Sequence, residues 1–95
     1  MADFHLPPSW VTDELGWPTG RGVRVGIINS GFDRTLCDQR VLPGAGFVDP
    51  ADDLALLHTA DDHDRLGAGT GCADLVLRIA PEARVIPLRI FGDGL

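Results

Sequence analysis

The first strong pattern in the chain is a near-continuous run of apolar and β-branched residues, Val23 to Ile28. Such a run predicts a strand covered on both faces. Before it, Ser9 is placed to cap a short helix over Trp10–Leu15, which Gly16, Pro18 and Gly20 end. After it, Arg40 to Val48 predicts a second, irregular strand, because Pro43, Gly44 and Gly46 interrupt the pattern. Residues 49–66 are polar and acidic around Leu54, Leu56 and Leu57, which predicts a surface excursion with one helical turn.

From Gly69 the period changes. Ala73, Val76, Leu77 and Ala80 fall at i, i+3, i+4 and i+7, the spacing of one helix face, so a helix is predicted over Gly69–Ile79. Pro81 stops it. Arg84 to Ile90 predicts a third strand, with Pro87 awkwardly inside it. Proline removes one ladder donor, so this strand must lie at an edge or meet an irregularity there. Strands separated by crossover segments favour a parallel α/β arrangement over hairpins.

Composition narrows the function classes. With 95 residues the chain makes at most one small domain, and small domains bury proportionately little surface. The formal net charge is −6, and Asp49, Asp52, Asp53, Asp61, Asp62 and Asp64 crowd one stretch. That field argues against nucleic acid and favours basic partners or cations. No apolar run approaches a membrane span, and no basic segment followed by an apolar one marks the N-terminus. Cys37 and Cys72 do not make a disulfide framework, and two reduced thiols fit a cytoplasmic setting.

Three segments carry recognisable motifs. Val25-Gly26-Ile27-Ile28-Asn29-Ser30-Gly31 runs a strand into a tight turn, Gly67-Ala68-Gly69-Thr70-Gly71-Cys72-Ala73 opens a helix, and Ala80-Pro81-Glu82-Ala83-Arg84-Val85 leads into the next strand. In this order they resemble the N-terminal portion of the subtilisin-like serine proteases. In that family the strand ends in Asp-Thr/Ser-Gly, the helix starts at His-Gly-Thr-His-Val-Ala-Gly, and Gly-Val-Ala-Pro-x-Ala-x-Val/Leu follows. The resemblance spans about Gly20 to Gly94. It implies a three-layer, mostly parallel α/β sheet, with residues 1–19 as an N-terminal arm and 20–95 as a partial subtilisin-like domain. It also implies that the ends of the first strand and the start of the helix meet, with Asn29 and Ala68 facing each other.

The two positions that the family uses for chemistry hold other residues. Asn29 stands at the place of the catalytic Asp and Ala68 at that of the catalytic His, while the Gly-Thr-Ser nucleophile motif is absent. A triad needs an imidazole to take the serine proton and a carboxylate to orient it. Replacing that carboxylate by an amide costs about 10⁴-fold in a working triad, and a methyl group carries no proton at all. The resemblance therefore points to a catalytically inactive subunit or fragment. It would bind a peptide, or pack against a second polypeptide or a second copy of itself, through Asn29, Ser30, Gly31, Gly67, Ala68, Gly69 and Thr70. No cofactor or metal is expected.

Two other readings stay open from the residues. A composite hydrolase would draw its nucleophile from a partner and use His63 or Cys72 as an unorthodox replacement for the missing base. A free-standing small α/β module would bind an anion at the Gly69–Gly71 helix start. Cys72 is expected to be a buried small hydrophobe, and His5, His58 and His63 to be loop residues. The Asp61-Asp62-His63-Asp64 run supplies oxygen ligands for a hard cation but lacks the spacing of a calcium loop.

Overall fold

The computed structural model describes residues 18–48 and 57–92. The helix expected over Trp10–Leu15 and the helical turn expected around Leu54 and Leu56 lie outside the described residues. The elements in chain order are β1 (Arg24–Asn29), β2 (Ala45–Val48), β3 (Leu57–Thr59), α1 (Ala68–Ile79) and β4 (Arg84–Arg89). The strands form one mixed sheet in the order β1-β4-β2-β3. β4 runs parallel to both β1 and β2, while β2 pairs antiparallel with β3. The chain is an α/β protein with a mostly parallel sheet.

β1 is not covered on both faces. Its residues alternate between exposed and half-buried, and Ile28 is 66% exposed. Position explains this, because among the described residues β1 ends the sheet and α1 packs on one face of it. The stretch read as a surface excursion also holds a strand, β3, in which His58 pairs with Phe47 and the two rings lie 5.5 Å apart. Three residues are too few for a period-two pattern to declare itself. The irregular strand over Arg40–Val48 contracts to β2, preceded by an isolated bridge between Val41 and Val85.

Pro87 lies in the central strand, and the irregularity it requires is on the neighbouring segment. Arg84 and Ile90 donate to Val23 and Asn29 on the β1 side, whereas Val85 donates to Arg40 on the other. Pro87, two residues beyond Val85, faces the same side as Val85. There, Val41 pairs with Val85 and Ala45 with Leu88, so four steps of one strand match three of the other. The missing proline donor falls opposite this bulge. The Gly44 N–H within the bulge donates instead to the Asp62 carboxylate, at 2.8 Å.

The core lies between α1 and the sheet. Phe32, Val41, Ala73, Leu77 and Val85 form it, with Ile27 and Val76 packed alongside. Ala73, Val76 and Leu77 are the helix positions that the apolar spacing singles out. The opposite side of α1 presents Ala68, Cys72, Leu75 and Ile79, all exposed. No described helix is long and apolar enough to cross a membrane.

Truncating Leu77 to Ala should cost about 2–5 kcal/mol, as for other large-to-small core changes. Arg78→Ala, at an exposed position of the same helix in a surface ion pair with Asp74, should change stability by roughly 0.5 kcal/mol or less. Urea unfolding midpoints distinguish the two, and equal losses would mean that the core has been placed on the wrong face.

Candidate functional site

The end of β1 and the start of α1 meet through backbone that only glycine allows to approach. A Cβ on Gly69 would overlap the carbonyl oxygen of Gly31, and a Cβ on Gly31 would overlap that of Asp62. Gly31 also has φ 105°, a left-handed turn conformation that side-chain-bearing residues rarely adopt. The chain after the turn is tied to the loop before α1. Phe32 N–H donates to the Asp62 carbonyl and Asp64 N–H to the Phe32 carbonyl, both at 2.9 Å.

Ser30 is fully buried at this junction. Its hydroxyl donates to Asp64 Oδ1 and accepts the Gly69 N–H, each at 2.8 Å, so one side chain joins strand, loop and helix. Asp64 is the hub. Its Oδ1 also accepts the N–H groups of Leu66 and Gly67 at 2.9 Å, and its Oδ2 accepts the Thr70 N–H at 3.0 Å and hydroxyl at 2.6 Å. The Thr70 hydroxyl in turn accepts the Asp33 N–H at 2.8 Å.

This arrangement substitutes for an ordinary helix cap. The cap residue, Gly67, has no side chain to offer, and the first turn of α1 contains no acidic residue. Asp64 supplies both functions from the preceding loop, satisfying free N–H groups and placing negative charge at the positive end of the helix dipole. Burial pushes the Asp64 carboxyl upward, but the hydrogen bonds from Thr70, Gly67 and Leu66 outweigh it and hold the group far below the usual carboxylate range. So strongly held a carboxylate is a poor general base at neutral pH.

Asn29 is committed to local structure on its oxygen side. Its Oδ1 accepts the Ser30 N–H at 2.8 Å, and its Nδ2 lies 3.7 Å from Cys72 Sγ on the first turns of α1. Ala68, Gly71 and Cys72 share the exposed side of the helix start, and Cys72 is therefore not the buried small hydrophobe expected from sequence. Of the seven residues proposed to bind, Ser30, Gly31 and Gly69 are buried within the junction, Asn29 and Thr70 are half-buried, and Gly67 and Ala68 are exposed. A cleft of about 440 Å³ opens beside it, between the 36–40 loop and the Thr70, Gly71, Asp74 and Leu77 side of α1.

The acidic run divides among separate partners. Asp61 pairs with Arg65 at 2.9 Å, and buried Asp62 takes the Arg34 guanidinium through both oxygens, with the Nε contact at 2.8 Å. Among the described residues, no group of three or more His, Cys, Asp or Glu side chains is arranged to hold a metal. His63 Nδ1 accepts the Arg34 N–H at 3.2 Å, His58 lies on β3, and His5 falls outside the described residues. Asp64 itself is the residue that motif reading passed over. Its place four positions before Ala68, with Thr70 two beyond, was the available signal.

No protein-family model matches the chain, and neither the curated proteins nor the solved structures contain a significant match to it.

Because the Asp64 carboxyl is held below its unfolded value, its contribution to stability is complete above about pH 4 and is lost as the pH falls further. Asp64→Asn should destabilise the chain by about 1.5–3 kcal/mol at pH 7, the range for hydrogen bonds to a charged group. The gap between the variant and the parent chain should narrow on acidification. Chemical denaturation at pH 7 and at pH 3 tests this, and a gap independent of pH would remove Asp64 from its central place.

Proposed function

We propose that this chain is a catalytically inactive, subtilisin-like subunit or fragment that works by association, completing its fold with a second polypeptide or a second copy of itself. The observation that carries the proposal is the junction of β1 with α1. Ser30 and Gly31 meet Gly69 at the helix start, and on the resemblance positions 29 and 68 hold an amide and a methyl group where a protease of that kind carries a carboxylate and an imidazole. Neither replacement can take a proton from a serine at neutral pH.

The sheet supports the association. Since Arg84 and Ile90 donate to Val23 and Asn29, the odd-numbered residues of β1 turn their backbone groups toward β4. Arg24, Gly26 and Ile28 turn theirs toward the edge of the sheet that no described strand covers. An unprotected edge strand is a template for a further strand. Above that edge, Cys72 neighbours Asn29, and Leu75 and Ile79 continue an exposed apolar stripe along α1, at 46% and 44% exposure. A partner strand beside β1 would sit beneath this stripe, and the partner would provide the third layer on the face that no described helix covers. A peptide ligand could use the same edge through main-chain hydrogen bonds.

Sedimentation at micromolar concentration tests the association. The expected result is a species heavier than 10.2 kDa; a compact monomer of that mass that unfolds cooperatively would overturn the proposal. The same preparation should neither turn over an unstructured protein substrate nor react with a serine-directed probe. Asn29→Asp combined with Ala68→His should leave it inactive, because the chain carries no nucleophile motif.

A further inference from the structure

At the other end of the sheet from the Asn29 junction, where β1 and β4 begin, a cleft of about 600 Å³ is lined by Arg21, Arg24, Arg40 and Arg84, with Glu82 as its one carboxylate. The chain has only eight basic side chains and a net charge of −6, so four guanidiniums around one cleft run against its overall charge. Two of the four are already compensated. Asp38 accepts from Arg40 Nε at 2.9 Å and Nη2 at 2.7 Å, and Arg21 lies 3.4 Å from the Glu82 carboxylate.

The other two form no ion pair among the described residues. Arg24 and Arg84 are register partners across the β1–β4 ladder, so their side chains leave the same face of the sheet from directly opposed positions. Like charges placed opposite each other on neighbouring strands destabilise a sheet. Arg84 is steadied by its own backbone, since Nη1 donates to the carbonyls of Glu82 and Ala83 at 3.2 Å, which leaves Nε and Nη2 free to donate. Arg24 makes no hydrogen bond or ion pair among the described residues. Arg84 lies within the field of the Asp38 and Glu82 carboxylates but bonds to neither, since each is already taken by another partner, and Arg24 has no carboxylate partner among the described residues.

We propose that this cleft binds a phosphate-type dianion, held chiefly between Arg24 and Arg84. A doubly charged tetrahedral oxyanion would turn the repulsion of the pair into attraction, and its oxygens match the planar donor forks of two guanidiniums. The lining offers little apolar surface, only Val23 and Pro81 beside the charged groups, which suits a small, strongly hydrated ion. The dianion is either free phosphate or the phosphoryl group of a larger ligand. This inference is independent of the proposed association at the β1 edge and does not involve Asn29 or Ala68.

Titration of the full chain at pH 8 with inorganic phosphate, and separately with phosphoserine as a monoester, tests the site through amide chemical shifts and the melting midpoint. Chloride at matched ionic strength is the reference. Binding of either compound, with the largest shifts at Arg24 and Arg84, supports the site, and binding of the monoester alone assigns it to a phosphorylated ligand. Arg24→Gln should weaken binding by about tenfold or more. Without ligand, the same variant should melt no lower than the parent chain, because a like-charge pair has been relieved. Arg78→Gln, on the exposed side of α1 in an ion pair with Asp74, should bind as the parent chain does. A response to phosphate no larger than that to chloride, or equal binding by the parent chain, Arg24→Gln and Arg84→Gln, would overturn the proposal.

Discussion

The structure depends on one buried carboxylate. Asp64 accepts hydrogen bonds from Ser30, Leu66, Gly67 and Thr70, and through them fixes the end of β1 to the start of α1. Without it, Ser30 would be a fully buried hydroxyl lacking an acceptor, and α1 would begin at a glycine with no cap. Both are costly states, since unsatisfied buried polar groups and uncapped helix termini each remove stability. The close backbone approach at Gly31 and Gly69 makes this bonding geometry reachable.

That dependence separates the scaffold from any chemistry. The hydrogen bonds that hold the junction pass through Ser30, Asp64, Gly69 and Thr70, and Ala68 contributes no side-chain bond to them. Asn29 takes part only by accepting the neighbouring Ser30 N–H and approaching Cys72. A carboxylate could accept the same N–H, so Asn29 is not required for the fold in its present form. Positions 29 and 68 are therefore free to change while the strand and helix stay joined.

Much of the fold was legible in the sequence because its signals were local. The apolar spacing of Ala73, Val76 and Leu77 located the helix and its inner face, and the β-branched run located β1 within one residue. What was not legible depended on neighbours. Val23 to Ile28 reads as a fully buried strand, but its exposure is decided by its place at the sheet edge. β3 is too short to carry a pattern, and it owes its existence to pairing with β2. Pro87 announced an irregularity correctly in kind, yet the bulge lies in the facing segment around Pro43 and Gly44. At the junction, the glycines and Ser30 stood out as a motif. The controlling Asp64 was hidden in an acidic stretch, where a carboxylate reads as surface charge until its donors are known.

The central claim, that the β1 edge is where this chain associates, has a residue-level consequence. The amides of Arg24, Gly26 and Ile28 face the edge that no described strand covers, while those of Val25, Ile27 and Asn29 face β4. Native-state hydrogen exchange on the associated species, with site resolution, separates the two sets. The account predicts that Arg24, Gly26 and Ile28 exchange as slowly as their β4-facing neighbours in the associated species and lose that protection on dilution. An associated species in which those three amides still exchange at the rate of an open edge would contradict it.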